Sequence, residues 1–186
     1  MTDSTPAIIL PPWAIVSEKR RAHIIRVTTL LDRWGEQLGL SPEDRQAWHD
    51  VGAWHDALRD ASTQELRAEL GDDPRPIRIL HGPAAARRLE REGEARPDVL
   101  EAIRWHTLGN PEWGLTGRAL FMADFLEPGR PFMGEDRSFL AAHVAHDFDG
   151  VFRQVVRVRL EWTLREGKPV FPETIALWNR VQQSGS

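Results

Sequence analysis

The sequence predicts an all-α domain of about seven to nine helices, and three observations lead to this fold class. Apolar residues recur at spacings of three and four, which is the period of one helix face. Ser, Pro and Gly stand where helices begin and end. No stretch alternates apolar and polar residues over more than a few positions, as a half-buried strand would.

The helix boundaries follow from local sequence. Ser41 can cap the helix that Pro42 begins, and the acids of its first turn suit the positive end of the helix dipole. Glu127-Pro128-Gly129 ends an apolar helix. The predicted helices cover, in chain order, residues 17–38, 41–58, 65–70, 81–92, 97–105, 115–126, 136–146, 147–166 and 172–181.

The predicted domain organisation is simple. Residues 1–16 contain Pro and Thr and lack a clear period, which predicts an N-terminal arm that is mobile or loosely docked. The chain has 186 residues, which suits one domain, and the helical pattern after the arm shows no internal repeat. We therefore expect a single domain over residues 17–186.

Composition excludes several classes of function. Because cysteine is absent, disulfides, thiolate nucleophiles and Cys-ligated zinc are ruled out, and any metal must be bound through nitrogen and oxygen. The net charge of −4 argues against a nucleic-acid partner, which needs a broad cationic surface. No apolar stretch approaches the roughly 20 residues that span a bilayer. We expect a cytoplasmic protein with no membrane partner, and the oligomeric state stays open.

Three of the seven histidines precede Asp, and their sequence context distinguishes them. His55-Asp56 follows the apolar turn VGAW, where a polar pair needs partners if it is to be buried. His49-Asp50 follows a polar run, which favours a surface position, although it lies one heptad from Asp56. His146-Asp147 precedes a helix start and is expected at the surface, as is His143.

Six candidate metal ligands fall on, or at the start of, successive predicted helices. They are His23, His55, Asp56, His81, His106 and Asp124. A bundle can direct one side chain from each helix toward a common centre, and mixed imidazole and carboxylate ligands suit iron, manganese or zinc. Adjacent residues on a helix diverge by about 100°, so one can hold an ion while the next bridges to a second. The alternative is a set of core histidines, each bonded to a backbone carbonyl.

Several segments, in this order and spacing, resemble the YqeK family of HD-domain hydrolases. His81-Gly82-Pro83 and the pattern Ala-Asp-x-x-Glu-Pro-x-Arg at residues 123–130 are specific motifs, whereas an HD dipeptide alone is not. The tail GKPVFPETI at residues 167–175 is also similar. The remaining similar segments are HIIRV (23–27), WHDALRD (54–60), LHGPAAA (80–86), EAIRWHTLGNP (101–111) and FMADFLEPGR (121–130).

The resemblance implies an HD-domain helical bundle with two divalent metal ions, usually iron. It also implies hydrolysis of dinucleoside tetraphosphate, such as diadenosine tetraphosphate, to two nucleoside diphosphates by a hydroxide that bridges the metals. Carried over by position, one ion would be held by His23, His55, Asp56 and Asp124, and the other by Asp56, His81 and His106. The expected catalytic residues are His55, Asp56 and Arg59. The expected substrate contacts are Arg59, Gly82, Thr107 and Arg130.

Two residues depart from the family pattern, and two tryptophans are candidates for the pocket. Arg59 stands where the family has Lys, which still serves a phosphate but changes the geometry. Trp105 replaces Tyr before His106 and is expected to reshape the pocket wall. Trp113, in a loop rich in Pro and Gly, is the candidate for stacking on a base, whereas Trp54 is expected in the core.

Other functions stay open at this point. The same centre would serve an HD phosphohydrolase that acts on another nucleotide or phosphoester, because the sequence constrains the ligands better than the pocket. A non-catalytic nucleotide-binding sensor would not need to retain six ligands. A structural adaptor would leave the order of the histidines unexplained.

Overall fold

The computed structural model describes residues 8–183, which contain nine α-helices and one short 3-10 turn, so the all-α prediction is confirmed. None of the helices in this range is long and apolar enough to cross a membrane. The helices are α1 (Glu18–Gln37), α2 (Pro42–Trp54), α3 (Thr63–Leu70), α4 (His81–Arg91), α5 (Pro97–Trp105), α6 (Leu115–Leu126), α7 (Gly134–His143), α8 (Phe148–Arg165) and α9 (Pro172–Gln183). The 3-10 turn covers Ile77–Ile79.

Side-chain caps account for several of these boundaries. Ser17 accepts a hydrogen bond from the backbone N–H of Arg20 at the start of α1, and Ser41 does the same for Asp44 at the start of α2. Ser62 and Glu65 form a reciprocal capping box on α3. Each cap satisfies backbone donors that a helix start leaves without an intrahelical partner.

Two helices are shorter than the sequence predicts. α2 ends at Trp54 rather than near residue 58, and α7 ends at His143 rather than at residue 146. After α2 the chain turns through short-range bonds, from Ala57 N to Trp54 O and from Arg59 N to Asp56 O. His55 and Asp56 therefore lie in a turn at the end of the helix.

α6 is the central helix of the fold. Ten of its residues are buried, as expected for a segment that is apolar on all sides. It contacts α1, α2, α5, α7 and α8. Asp124 on this helix is consequently carried into the middle of the protein, where α1 and α2 also meet.

α1 and α2 approach closely because a glycine stands at their contact. A Cβ added at Gly52 would lie 2.8 Å from Thr28 Oγ1 and 2.9 Å from Thr28 Cα, so no larger residue fits without a shift. This contact brings the end of α2, with His55, beside His23 on α1.

The described part of the expected N-terminal arm is docked on the turn after α2. Ile15 N donates to Ala57 O at 2.7 Å, and Asp60 N donates to Ile15 O at 3.2 Å. Residues 1–7 of the arm lie outside the described residues. The division of the chain into an arm and one domain stays a prediction.

His49 is buried, and the expectation of a surface position is wrong. Its Nδ1 lies 3.0 Å from Asp32 Oδ1 on α1, while neighbouring Asp50 accepts from Arg96 at 2.7 Å. Each buried charged group thus has a partner of opposite charge on another element, which makes its burial tolerable. His143 and His146 are exposed, as expected.

The His49–Asp32 contact predicts a pH-dependent contribution to stability. The hydrogen bond to Asp32 raises the pKa of His49 above 6.5, outweighing burial, which lowers it. The pKa of His49 is thus higher in the folded protein than in the unfolded chain. The contact therefore contributes its full stability at pH values below the unfolded pKa, and this contribution is lost as pH rises through the folded pKa. His49→Gln should therefore lower the free energy of unfolding by about 1.5–3 kcal/mol at acid pH and by less at alkaline pH.

Urea unfolding at pH 6 and pH 9 measures this difference, with His146→Gln as the matched exposed control. An equal loss at both pH values would show that the imidazole is not charged in its contact with Asp32.

Candidate metal centre

The six residues predicted as ligands converge in one buried cluster. His23 comes from α1 and Asp124 from α6, while His81 is the first residue of α4. The other three lie at helix ends, His55 and Asp56 after α2 and His106 after α5. All six side chains belong to buried residues, so five helices together surround the cluster.

The Asp56 carboxylate is the centre of the cluster. Its Oδ1 lies 3.1 Å from His81 Nε2 and 3.5 Å from His106 Nε2. Its Oδ2 lies 3.5 Å from His23 Nε2 and 3.6 Å from His55 Nε2. Each carboxylate oxygen thus faces its own pair of imidazoles, and the ligand atoms of each group lie within 4.8 Å of one another. This arrangement suits a carboxylate that bridges two ions.

The helix ends orient two of these imidazoles in the same way. α2 ends at Trp54 and α5 at Trp105, and in each case the next residue is a histidine that turns back on its own helix. The Nδ1 atoms of His55 and His106 lie 2.8 Å from the carbonyl oxygens of Gly52 and Ile103. Because a carbonyl only accepts, Nδ1 carries the hydrogen and Nε2 presents a lone pair to the cluster.

Glu127 performs this orienting role for His23, and the sequence analysis did not assign it a part. Its Oε1 lies 3.1 Å from His23 Nδ1, and its other oxygen accepts from Arg26 and from Gly129 N. Burial raises the pKa of Glu127, but the bonds from His23 and Arg26 outweigh it and hold the pKa at about 2. Its position in the motif at residues 123–130 is the feature of the sequence that could have indicated this role.

The histidine nitrogens form a site that requires a cation. His23 Nε2 and His55 Nε2 lie 3.4 Å apart, and both Nδ1 atoms already face acceptors, so a proton or a metal ion has to separate the two lone pairs. Burial lowers the pKa of His55 to about 4, so this ring is neutral near pH 7. Burial also lowers the pKa of His23, but bonds to Asp124 and Glu127 outweigh it and raise the value to about 9.

The donor set therefore fits divalent transition metals. It consists of four imidazoles and two carboxylates without sulfur, and neutral imidazole with carboxylate is the combination that iron, manganese and zinc accept. Three of the four imidazoles have a fixed Nδ1 partner, whereas Nδ1 of His81 is buried without one among the described residues.

The cluster lies at one side of a cavity of about 550 Å³. Three of the predicted substrate contacts, Arg59, Thr107 and Arg130, line this cavity. Arg130 donates to Asp124 O at 2.8 Å and also contacts the Asp124 carboxylate, so it adjoins the predicted ligands directly. Thr107 Oγ1 lies 3.3 Å from His106 Nε2.

Gly82 lies behind the cluster instead of in the cavity wall. A Cβ at this position would lie 2.7 Å from Ile103 O and 3.0 Å from the His106 ring, so glycine allows α4 to pack on the end of α5. We therefore assign it a packing role that supports His106.

The tryptophans singled out from the sequence do not line this cavity. Trp105 donates to Glu101 at 3.0 Å, with Arg75 over its ring, and Trp113 packs against Phe121 and borders a separate, smaller cavity. Trp105 is the last residue of α5 and Trp113 lies in the loop before α6, so neither residue borders the cavity beside the cluster. Their expected roles in the pocket stay predictions that this position does not favour. Trp54 was expected in the core; it is half-buried and packs against the core.

Two arginines of the site were missed by the sequence analysis. Arg20 donates to Asp56 Oδ2 at 2.7 Å. The only feature of the local sequence that indicated this role is its position three residues before His23. Arg159 on α8 lies over the Phe121 ring at 4.0 Å and 3.6 Å from Asp124 Oδ2, and burial lowers its pKa to about 10. Arg26 on α1 pairs with Glu127 at 2.5 Å.

Two known proteins are similar to this chain over most of its length. A bis(5'-nucleosyl)-tetraphosphatase, symmetrical, of Bacillus subtilis is 26% identical over 172 residues, covering 88% of this chain and 90% of the relative. The protein of the same name from Staphylococcus aureus is 28% identical over 179 residues, covering 90% of this chain and 89% of the relative.

The fold has a match among solved structures. The crystal structure of a protein from Clostridium acetobutylicum, described as an HD superfamily hydrolase involved in NAD metabolism, superposes with a TM-score of 0.76. The two chains are 22% identical, and the match covers 91% of this chain and 92% of that one. The family model described as HD domain matches residues 20–150, which is most of the chain. The chain therefore belongs to the HD domain family.

Proposed function

We propose that this chain is a metal-dependent phosphohydrolase that cleaves dinucleoside tetraphosphate symmetrically, into two nucleoside diphosphates. The observation that carries the proposal is the Asp56 carboxylate between two pairs of imidazoles, beside a cavity lined by several arginines. The relatives named symmetrical bis(5'-nucleosyl)-tetraphosphatase support the choice of substrate.

We propose that the cluster holds two divalent ions, with Asp56 between them. His23, His55 and Asp124 would complete one site, and His81 with His106 the other, with iron as the first choice and manganese or zinc as alternatives. Two such ions supply a nucleophile from water near neutral pH and offset the charge that develops on the phosphoryl oxygens.

The residues of the chain supply orientation and charge. Glu127, Gly52 O and Ile103 O hold the imidazoles so that their Nε2 atoms face the centre. Burial of the cluster strengthens the electrostatic contacts within it, because less water surrounds the charges than at the surface. His55 and Asp56 would thus act through the ions they bind.

The arginines of the cavity suit a polyphosphate. Arg59, Arg130 and Arg159 line the wall beside the cluster, and guanidinium groups bind phosphate oxygens through charge-assisted, often bidentate, hydrogen bonds. The polar contacts of Arg159 within the described residues are long, 3.3 Å to Thr107 O, 3.5 Å to Phe121 O and 3.6 Å to Asp124 Oδ2, which leaves donors for a ligand. The Thr107 hydroxyl can add one further donor.

Product analysis tests the proposed function. Purified protein loaded with ferrous or manganous ions should convert diadenosine tetraphosphate to ADP alone, because the arginines of the cavity would hold the flanking phosphates and leave an inner phosphorus beside the cluster. Chromatography distinguishes this from equal amounts of AMP and ATP, which would refute symmetrical cleavage. If a panel shows turnover of another nucleotide or phosphoester instead, the broader HD phosphohydrolase assignment is the correct one.

Two histidine variants test the ligand assignment. His55→Ala should reduce the metal content below the about two ions expected of a binuclear site and abolish turnover. His146→Ala changes another histidine that precedes Asp, but at an exposed position, and should match the wild type. Elemental analysis and steady-state rates measure both variants. Equal losses in two correctly folded variants would contradict the assignment.

Arg159 allows a test of the phosphate contacts. Arg159→Gln removes one charge-assisted contact, worth about 1.5–3 kcal/mol, and should lower kcat/KM by about 10- to 150-fold with the metal content unchanged. Arg157→Gln, on the same helix but paired with Glu161 at the surface, is the control. Unchanged kinetics for Arg159→Gln would exclude a contact with the substrate.

A further inference from the structure

The cavity has an aromatic part that the proposed chemistry does not use. Phe132 and Trp162 line it with rings that are nearly parallel, at 9°, with centroids 6.4 Å apart. Lys168 Nζ lies 3.8 Å from the centroid of the Trp162 ring. Trp162 is 41% exposed, which leaves ring surface open to a ligand.

This aromatic pair is connected to the phosphate side of the cavity by one short loop. Residues 127–132 carry Glu127, which orients His23, then Arg130, which contacts Asp124, and then Phe132. Arg130 and Phe132 are two positions apart, so the loop sets the distance between the charged contact and the aromatic ring.

A buried arginine holds this loop in place. Arg137 is 1% exposed and donates to the carbonyl oxygens of Phe132 at 2.8 Å, Arg130 at 2.7 Å and Glu127 at 3.2 Å. Its guanidinium also lies 5.0 Å from the Phe132 ring centroid. Phe132 is thus a fixed wall of the cavity, because both its backbone and its ring are supported.

The segment after α8 supplies the other wall. Lys168, Pro169, Val170 and Phe171 all line the cavity, and they belong to the tail at residues 167–175 whose role the sequence analysis left open. This part of the cavity is lined mainly by apolar side chains, with the Lys168 ammonium and the Arg78 guanidinium, 5.7 Å from the Phe171 ring centroid, as its cations. Several arginines surround the proposed metal ligands in the other part. A ligand that fills both parts must combine a flat apolar group with a polyanion.

We propose that Phe132, Trp162 and Lys168 form a nucleoside subsite, in which the base of one half of the substrate stacks on the aromatic pair. The inference rests on the proposed function and names the group that the cavity recognises beyond the phosphates. Bases stack on aromatic side chains through their π faces, which every base has. The diphosphate of the same nucleotide then extends toward Arg130 and Arg159.

Binding of ADP and of inorganic diphosphate to the metal-loaded protein tests the subsite. The two probes share the diphosphate, and only ADP carries a base. Trp162→Ala should weaken ADP binding by about 5- to 150-fold, the range measured for loss of one base–aromatic stack, and leave the affinity for diphosphate unchanged. Titration calorimetry measures both affinities on the same preparation.

Two further variants make the result specific. Trp162→Phe keeps an aromatic face and should restore most of the ADP affinity. Leu164→Ala, also exposed on α8 but outside the cavity, should bind both probes like the wild type. Because Trp162 and Leu164 are both exposed, thermal unfolding of the two alanine variants should stay close to that of the wild type.

Several results would overturn the subsite. They are an equal loss of affinity for both probes, no loss for either, or wild-type protein that binds ADP no more tightly than diphosphate. Product analysis decides the proposed cleavage separately. A protein that fails to cleave the tetraphosphate, yet loses only ADP affinity in Trp162→Ala, would still contain the nucleoside subsite.

Discussion

The burial of the Asp56 carboxylate is the constraint on which the rest of the structure depends. A carboxylate removed from water is costly unless charges and hydrogen bonds replace its hydration. Burial raises the pKa of Asp56, but the surrounding histidines, His55 first among them, outweigh it and hold the pKa well below its usual range. Arg20 adds an ion pair at 2.7 Å. The helices that carry these partners must therefore meet around one residue, and Gly52 and Gly82 make the close approach possible.

A second layer of contacts gives the cluster its orientation. His55 and His106 each follow a helix end, and the Nδ1 atom of each ring donates to the carbonyl oxygen three residues earlier. Glu127 orients the His23 ring in the same way. Glu127 begins the loop that Arg137 fastens to the end of α6. The same loop carries Arg130 and Phe132, so it connects the orientation of an imidazole, a proposed phosphate contact and an aromatic wall of the cavity. Such supporting partners fix the orientation of metal-binding side chains.

The arginines of this chain divide into two groups with different roles. Arg26 and Arg137 are engaged with Glu127 and with loop carbonyls, and their contribution is structural. Arg59, Arg130 and Arg159 line the cavity beside the proposed metal ligands. A guanidinium supplies several donors in a fixed plane, so it can fasten a loop in one place and serve a phosphate in another. The surrounding fold, and not the residue type, decides which role each one takes.

The sequence by itself determined the all-α class, most helix boundaries, and the order along the chain of the candidate metal ligands, which include no sulfur. These features depend on helical periodicity and caps, which act within about one turn of helix, or on motifs such as His81-Gly82-Pro83. Only the tertiary structure decided that His49 is buried against Asp32, that Trp113 faces away from the cavity, and that Arg159 and Trp162 line it. The physical reason is that burial and the direction of a side chain depend on which helices pack together, and contacts between residues far apart in the chain decide that packing.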